Sequence, residues 1–501
     1  MGQGVFHPSR RLFLGGLAAS VGNVAFAGAP ETSIWPAPRP VDWTKQTLPS
    51  IDDLIARSGF AGKTGIALAD ARTGQIIEAH SPLLAQPPAS VTKSITALYA
   101  LDALGPGFRF RTRLIATGPI LNGRLDGDLI LAGGGDPTLE TNALADMASQ
   151  LKATGLREIT GRLRVAEGAL PQLPLIDPSQ PDHVGYNPAI SGLNLNFNRV
   201  YFEWKQATED AYDVAMDARS DRYRPRVTVA DMRIEDRDLP VFTYANSGGR
   251  DRWTVARSAL GQEGGRWLPV RHPGAYTAEV FQTLAGAHGI QLRLGDQVPG
   301  SSIAGNILVE HTSEDLREVL RQMLRWSTNI TAEAAGLSAT GARNLNNTSL
   351  ERSGKAMADW LGATYGANRP SFVDHSGLGD ASRLTPRDMV HALTNAGAES
   401  LLRGILKDIY LRDRDGETMR DSATKIVAKT GTLNFVSTLA GYIRTANGRD
   451  LAFAIFSSDI PHRNRLTRSE RERPDGGRAW SRRARALQND LLLRWSIAHD
   501  V

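Results

Sequence analysis

The 501-residue chain contains no cysteine, which excludes disulfides, thiolate metal sites and a cysteine-linked lipid anchor. It has no His-Glu-x-x-His segment, so that zinc-peptidase pattern is absent, and no Gly-x-Ser-x-Gly, the turn that presents the nucleophile in many Ser-His-Asp hydrolases. Asp374-His375-Ser376 supplies those three residue types, but positions this close in sequence cannot converge as a triad. Excess charge is also missing: 58 Lys+Arg against 53 Asp+Glu leaves +5, too little to argue for nucleic acid. The one dense basic stretch, nine Arg from Arg463 to Arg485, reads as a solvated loop and helix face with no catalytic role. There is no internal repeat. What remains is a globular composition, 41% apolar with Gly 49 and Pro 26, long enough for two or more domains.

At the N-terminus, Ser9-Arg10-Arg11-Leu12-Phe13-Leu14 precedes a Gly/Ala-rich apolar segment that ends in Ala25-Phe26-Ala27. Paired arginines, a short apolar run and an Ala-x-Ala site resemble a twin-arginine export signal. The apolar run, roughly 13 residues, is too short to span a bilayer. The expectation is a leader over residues 1–27, a periplasmic location and no membrane span in the mature chain. Residues 30–50 hold Pro30, Pro36, Pro38, Pro40 and Pro49 and read as a linker or surface strap.

Turn signals and apolar periodicity outline the rest. A helix fits Ser50–Ser58, and Thr64–Asp70 with Gln75–His80 flank a hairpin turn at Ala71–Gly74. The run from Ser90 places Ile95, Leu98 and Leu101 at helical spacing and stops at Gly105-Pro106-Gly107. Short strands are expected over Arg111–Leu131, then a helix carrying Leu144, Met147 and Leu151. Asn194-Leu-Asn-Phe-Asn198 alternates as a half-buried strand does. Residues 165–275 are otherwise strand-and-turn-like. Helices are expected at Tyr276–His288, at Ser313–Trp326 with Thr312 or Ser313 as cap, at Ser349–Leu361, at Thr385–Ala396 and at Trp480–Ile497. Asp374–Gly379 reads as a turn. Strands at Lys425–Gly431, Ser437–Arg444 and Leu451–Ser457 form an antiparallel run, with Asn447-Gly448 as a turn.

Chemistry enters through short motifs that mean little singly. Ser-x-x-Lys occurs at Ser90/Lys93, Ser149/Lys152 and Ser422/Lys425; Lys-Thr-Gly occurs at Lys63 and Lys429; Ser-x-Asn occurs at Ser327-Thr328-Asn329. Only Ser90 opens a long apolar helix, which would set a hydroxyl and an amine on one face. Only the Lys429 copy sits on a strand downstream of it. The ordered set is Ser90, Ser327, Lys429. A serine becomes a nucleophile when a base takes its proton, and a lysine can be that base only when its amine is neutral. Burial and nearby positive charge lower a lysine pKa, and Lys429 is the expected source of that charge.

In that order and context the motifs resemble those of the active-site serine penicillin-recognising enzymes. The long insertion, with Gly134-Gly135-Asp136-Pro137-Thr138-Leu139, Leu193–Phe197 and Asp374-His-Ser-Gly-Leu378, is similar to that of the class C low-molecular-mass penicillin-binding proteins, which are D-alanyl-D-alanine carboxypeptidases and endopeptidases. The resemblance covers roughly residues 60–460 and is weak over 200–270. It implies a mixed α and β fold: an antiparallel sheet flanked by helices, built from 28–115 and 300–501, with a β-rich insertion over 116–299. It implies Ser90 as nucleophile, Lys93 as base and Ser327 as proton relay. Asn329, Lys429, Thr430 and Thr432 would bind substrate, and the backbone N–H groups of Ser90 and Thr432 would form the oxyanion hole. It implies no cofactor and no metal. The partners would be peptidoglycan stem peptides, with β-lactams as covalent inhibitors. Two departures stand out: His375 occupies a position where the family usually has Gly, and Gly379-Asp-Ala-Ser382 loosens the segment after it. Both are expected to bear on substrate choice. A serine β-lactamase is the nearest rival, yet the class A Glu-x-x-x-Asn segment does not occur between Ser90 and Ser327. The other rival, a non-catalytic wall-binding protein, has no need of a nucleophile paired with its base.

Overall fold

The computed structural model describes residues 48–500 apart from 209–210, 301–302, 414, 469 and 473. The expected leader and nearly all of the Pro-rich strap lie outside the described residues.

The chain's two ends build one sheet. Its strands run in the order Lys407–Asp408, Lys425–Leu433, Val436–Arg444, Asp450–Ser458, Lys63–Asp70 and Ile76–His80, each antiparallel to its neighbours. Strand alternation sorts the side chains into two cores. Ile66, Leu68, Leu451, Phe453 and Ile455 face Ile51, Leu54, Leu487, Leu491 and Trp495. Those partners come from the N-terminal helix Ile51–Ser58 and the C-terminal helix Gly477–Ala498. Ala67, Ala69, Ala440, Ala452 and Ala454 face the opposite way, toward Ile95, Tyr99 and Met389. Alanine on this second face lets the helix Pro386–Ala396 lie close to the sheet. Each large aliphatic buried on the first face contributes roughly 1.5–3 kcal/mol, so both layers hold the sheet that carries the Lys429 strand.

The β-rich segment leaves and returns on paired strands, Arg111–Ala116 against Asn306–Thr312. Leu129–Gly133 and Leu163–Ala166 complete that four-stranded sheet. Two three-stranded sheets follow, Arg199–Gln206 with Tyr212–Asp217 and Glu263–Pro269, then Ala230–Glu235, Phe242–Ser247 and Arg250–Ala256. The helices Thr141–Ala153 and Pro273–Ala287 pack with them in one core around Leu131, Leu144, Phe202 and Phe281.

Two local expectations fail and one element goes unforeseen, each for a visible reason. Asn194–Asn198 is a tight turn, not a strand: Asn196, Phe197 and Asn198 all have positive φ. Asn side chains stabilise it, Asn194 Oδ1 accepting from Ser191 N–H and Asn198 Nδ2, and Asn196 Oδ1 accepting from Thr141 N–H. The helix expected from Ser313 starts at Leu316, capped by Asp315. Thr312 ends a strand, and the Ser313 hydroxyl accepts from Phe110 N–H. Finally, Asn329–Ala342 is a helix that periodicity does not announce. It is buried on all sides and built largely of Ala, Gly and Thr, so it shows no polar face.

Candidate active site

Ser90 sits in a single 3₁₀ turn, Ala89–Val91, just before the long helix. Two glycines from distant parts of the chain fix that turn. Gly377 has φ +73°, and a Cβ there would lie 1.9 Å from Ala89 O. A Cβ on Gly431 would lie 2.9 Å from Pro88 O and 3.0 Å from Ser90 N. Both positions bring backbone against backbone, which no side chain permits. Ala89 itself is held at φ +47°, a conformation that persists only when its surroundings over-determine it.

One helical turn later Lys93 is fully buried. Its Nζ lies 3.0 Å from Ser90 Oγ and donates to Asn329 Oδ1 and to Ser376 O, each at 2.8 Å. Burial lowers its pKa to about 8, against opposing pulls from the Glu333 and Asp374 charges. Burial is thus the expected cause, whereas Lys429 does not supply the further lowering expected of it. Desolvation lowers Lys93, and the charge effect runs the other way: Lys429 is held well below its ordinary value by burial and then by the Lys93 charge.

Two buried carboxylates shape the ground behind Lys93. Glu333, one turn into the Asn329 helix, accepts from the backbone N–H groups of His375 and Ser376, both at 2.9 Å. Asp374 accepts from Gly377 and Gly379 N–H, both at 2.6 Å. Burial pushes both carboxyls above their ordinary range. Asp374 thus closes the Gly377 turn, and Glu333 orients the backbone whose Ser376 carbonyl receives Lys93. Glu333 has no sequence signal, because it lies in the unannounced helix. His375 is buried against Tyr99, with Nε2 2.7 Å from Ser353 Oγ. Burial lowers its pKa to about 3, and it is not among the residues that line the cleft.

Ser327 has φ +60° at the junction between the helices Leu316–Trp326 and Asn329–Ala342. That left-handed kink presents its hydroxyl to Lys429, whose Nζ donates to Ser327 Oγ at 2.9 Å and to Thr430 O at 2.8 Å. Asn329 spans the site, receiving Lys93 on its oxygen and donating from Nδ2 to Tyr186 O at 2.9 Å. The structure brings Ser90, Ser327, Asn329 and Thr432 together along a cavity of about 320 Å³. Thr430 is exposed and does not line it. The decoys stay apart from the cleft. Ser149 and Lys152 are exposed on the helix Thr141–Ala153, and Lys425 Nζ donates to the Ser422 carbonyl.

The cleft has further walls that its motifs do not announce: Gln180, Tyr186, Asn434, Arg463, Arg471 and Glu472. Arg463 corrects the reading of the basic stretch as wholly solvated. It is 2% exposed, and it donates from Nε to Asp380 at 2.8 Å and from Nη1 to Asn434 O at 3.0 Å.

Residues 48–476 match the family model described as D-Ala-D-Ala carboxypeptidase 3 (S13). The D-alanyl-D-alanine carboxypeptidase DacB of Haemophilus influenzae is 24% identical over 430 residues, 81% of this chain and 88% of that one. A D-alanyl-D-alanine carboxypeptidase of an Actinomadura species is 26% identical over 446 residues, 81% and 80% of the two chains. The fold is similar to the crystal structure of penicillin binding protein 4 (dacB) from Haemophilus influenzae. The TM-score is 0.70 at 22% identity, over 88% of this chain and 99% of that one. Motif order, sheet and matched length agree, and the chain belongs to the D-Ala-D-Ala carboxypeptidase 3 family of serine peptidases (S13).

Proposed function

We propose that this protein is an exported serine DD-peptidase that cleaves D-Ala-D-Ala termini, and peptide cross-links, of peptidoglycan through an acyl-enzyme on Ser90. The supporting observation is the set of partners around Lys93. Asn329 Oδ1 and Ser376 O can only accept hydrogen bonds, so they take two N–H groups of the amine. A neutral amine then has its lone pair left for the third neighbour, Ser90 Oγ. With a pKa lowered to about 8, that neutral form is accessible near physiological pH.

In the proposed reaction, Ser90 Oγ attacks the carbonyl carbon of the penultimate D-Ala while its proton passes to Lys93 Nζ. The tetrahedral oxyanion is held by the backbone N–H groups of Ser90 and Thr432, donors of a kind worth roughly 3–4 kcal/mol each. The C–N bond then breaks as Lys93 gives that proton to Ser327 and Ser327 passes its own to the leaving amine, which leaves Lys93 neutral again. Water attacks the ester carbonyl, Lys93 takes its proton, and that proton returns to Ser90 Oγ as the C–O bond breaks. Lys429 and Thr432 hold the terminal carboxylate, and Asn329 bonds the peptide backbone. Catalysis is assigned to the body built from 28–115 and 300–501, and the 116–299 insertion supplies Gln180 and Tyr186 to the cleft wall. Arg10-Arg11 would direct export to the periplasm. No helix among the described residues is long and apolar enough to cross a membrane.

The test uses the wild type and Ser90→Ala with a fluorescent penicillin and a peptide ending in D-Ala-D-Ala. Long-lived label and D-Ala release, both lost in Ser90→Ala, are expected. Label that turns over rapidly would identify a β-lactamase, and label that persists in Ser90→Ala would assign the nucleophile elsewhere.

A further inference from the structure

The cleft continues past Asn329. Tyr186, Ser327 and Asn329 also line a second cavity of about 150 Å³, which shares Phe197, Arg199 and Trp326 with a third of about 590 Å³. The three form one groove that leaves Ser90 on the Ser327 side and runs along the inserted body.

Arg199 is the anomaly in this groove. Its guanidinium is stacked 5.0 Å from the Phe197 ring and 5.4 Å from the Trp267 ring. Its Nε is buried with no hydrogen-bond partner. Burial pushes its pKa down from the ordinary arginine value, and none of the three carboxylates that line the third cavity, Glu140, Glu314 and Glu318, pairs with it. Desolvated cations are normally paired, and this one is held by two rings and left unpaired among the described residues. The backbone around it is equally unusual: Phe197 has φ +59°, which for a bulky residue is strained. Across the groove Trp326, the residue before Ser327, is 67% exposed.

We infer that this groove binds the strand released from a peptide cross-link, with Arg199 pairing a free carboxylate of that strand's stem peptide. The inference rests on the DD-peptidase reading above. In that reading Ser327 protonates the leaving amine, so the chain attached to that amine emerges at Ser327, where the groove begins. A single leaving D-Ala carries nothing that reaches further. Arg199 therefore bears on cross-link cleavage and not on trimming of termini. A guanidinium suits this role because its planar donors meet a carboxylate two at a time.

The experiment compares three substrates: an N-acylated peptide ending in D-Ala-D-Ala, a cross-linked muropeptide dimer, and the same dimer with the free carboxylates of its released strand amidated except the one on the residue that carries the leaving amine, which Lys429 holds. For Arg199→Gln, kcat/KM on the unmodified dimer is expected to fall about tenfold relative to the short peptide, as the loss of one charge-assisted pair implies. Amidation is expected to slow the wild type similarly and to leave Arg199→Gln unchanged. Arg199→Lys is expected to recover part of the loss. Equal effects of Arg199→Gln on dimer and short peptide, or no penalty from amidation in the wild type, would overturn the subsite while leaving the parent reading intact. Failure of the wild type to release D-Ala from the short peptide would remove that reading and this inference together.

Discussion

Lys93 Nζ donates to Asn329 Oδ1 at 2.8 Å, joining two motifs 236 residues apart in sequence. One amide thereby holds the amine on one side and the Tyr186 carbonyl on the other. Asn329→Ala should lower the rate of penicillin acylation roughly 10–100-fold, the value of one charge-assisted hydrogen bond. Asn329→Asp should place a negative charge beside Lys93, favour its protonated form and move the pH profile of acylation upward. Stopped-flow acylation between pH 6 and 10 would check both; an unchanged midpoint in Asn329→Asp would refute the pairing.

The pH dependence of the wild type has a definite sign. In the proposed reaction acylation needs the neutral amine, so its rate should rise through about pH 8, not through the ordinary lysine range. Stability follows the same linkage. A lysine whose folded pKa is lowered binds its proton more weakly when folded than when unfolded. It therefore costs stability below about pH 8, and that cost is relieved as pH rises from about 8 to about 10.5. Lys93→Met should remove this component from denaturant unfolding curves taken across that window.

Glu333 touches both the charge and the position of Lys93. Its negative charge raises the Lys93 pKa, so Glu333→Gln should shift the acylation midpoint to lower pH. The same change sets an amide N–H₂ against one of the two backbone N–H groups that the carboxylate receives. The maximal rate should therefore fall as well, by roughly tenfold if about 1–2 kcal/mol of orientation is lost. A lower rate with an unmoved midpoint would mean that Glu333 acts on the backbone alone.

Gly377→Ala should be among the most damaging small substitutions in the chain. It places a methyl 1.9 Å from Ala89 O on a backbone with φ +73°. Left-handed backbone and overpacking together cost about 2–5 kcal/mol. Urea unfolding and penicillin acylation should both register the loss. Gly404→Ala, with nothing within 4 Å of the added methyl, serves as the control.

Lys429→Ala should separate peptide from backbone effects. It removes the donor to Ser327 Oγ and to Thr430 O. We expect kcat/KM for a peptide with a free terminal carboxylate to fall about 100-fold. A peptide amidated at its C-terminus, already poor, should lose much less. Equal losses on the two would assign Lys429 to Ser327 alone.

The readable parts of this molecule are those in which one signal is local and strong. Hairpin, caps and strand alternation located the sheet, and order among cheap short motifs singled out Ser90, Ser327 and Lys429 as candidates. The Asn329–Ala342 helix escaped because full burial erases amphipathic periodicity, and Glu333 escaped with it. Asn194–Asn198 misled because its alternating pattern records side chains that bond a turn, not the two faces of a strand. Arg463 was hidden in a run of arginines whose neighbours are mostly solvated, since composition cannot say which one turns inward. Of the two expected sources of the Lys93 shift, burial acts and the Lys429 charge does not, because desolvation dominates once Lys93 lies beneath the cleft floor.

The turn at Ser90 has no conformation of its own to fall back on. It is gripped by Gly377 and Gly431, which are synthesised hundreds of residues after it. A chain still emerging, or one cut before residue 431, holds the serine but not the turn that the proposed reaction needs. Covalent labelling by penicillin should therefore act as a clock for maturation, silent through most of synthesis and switched on only when the last strands of the sheet close over the first.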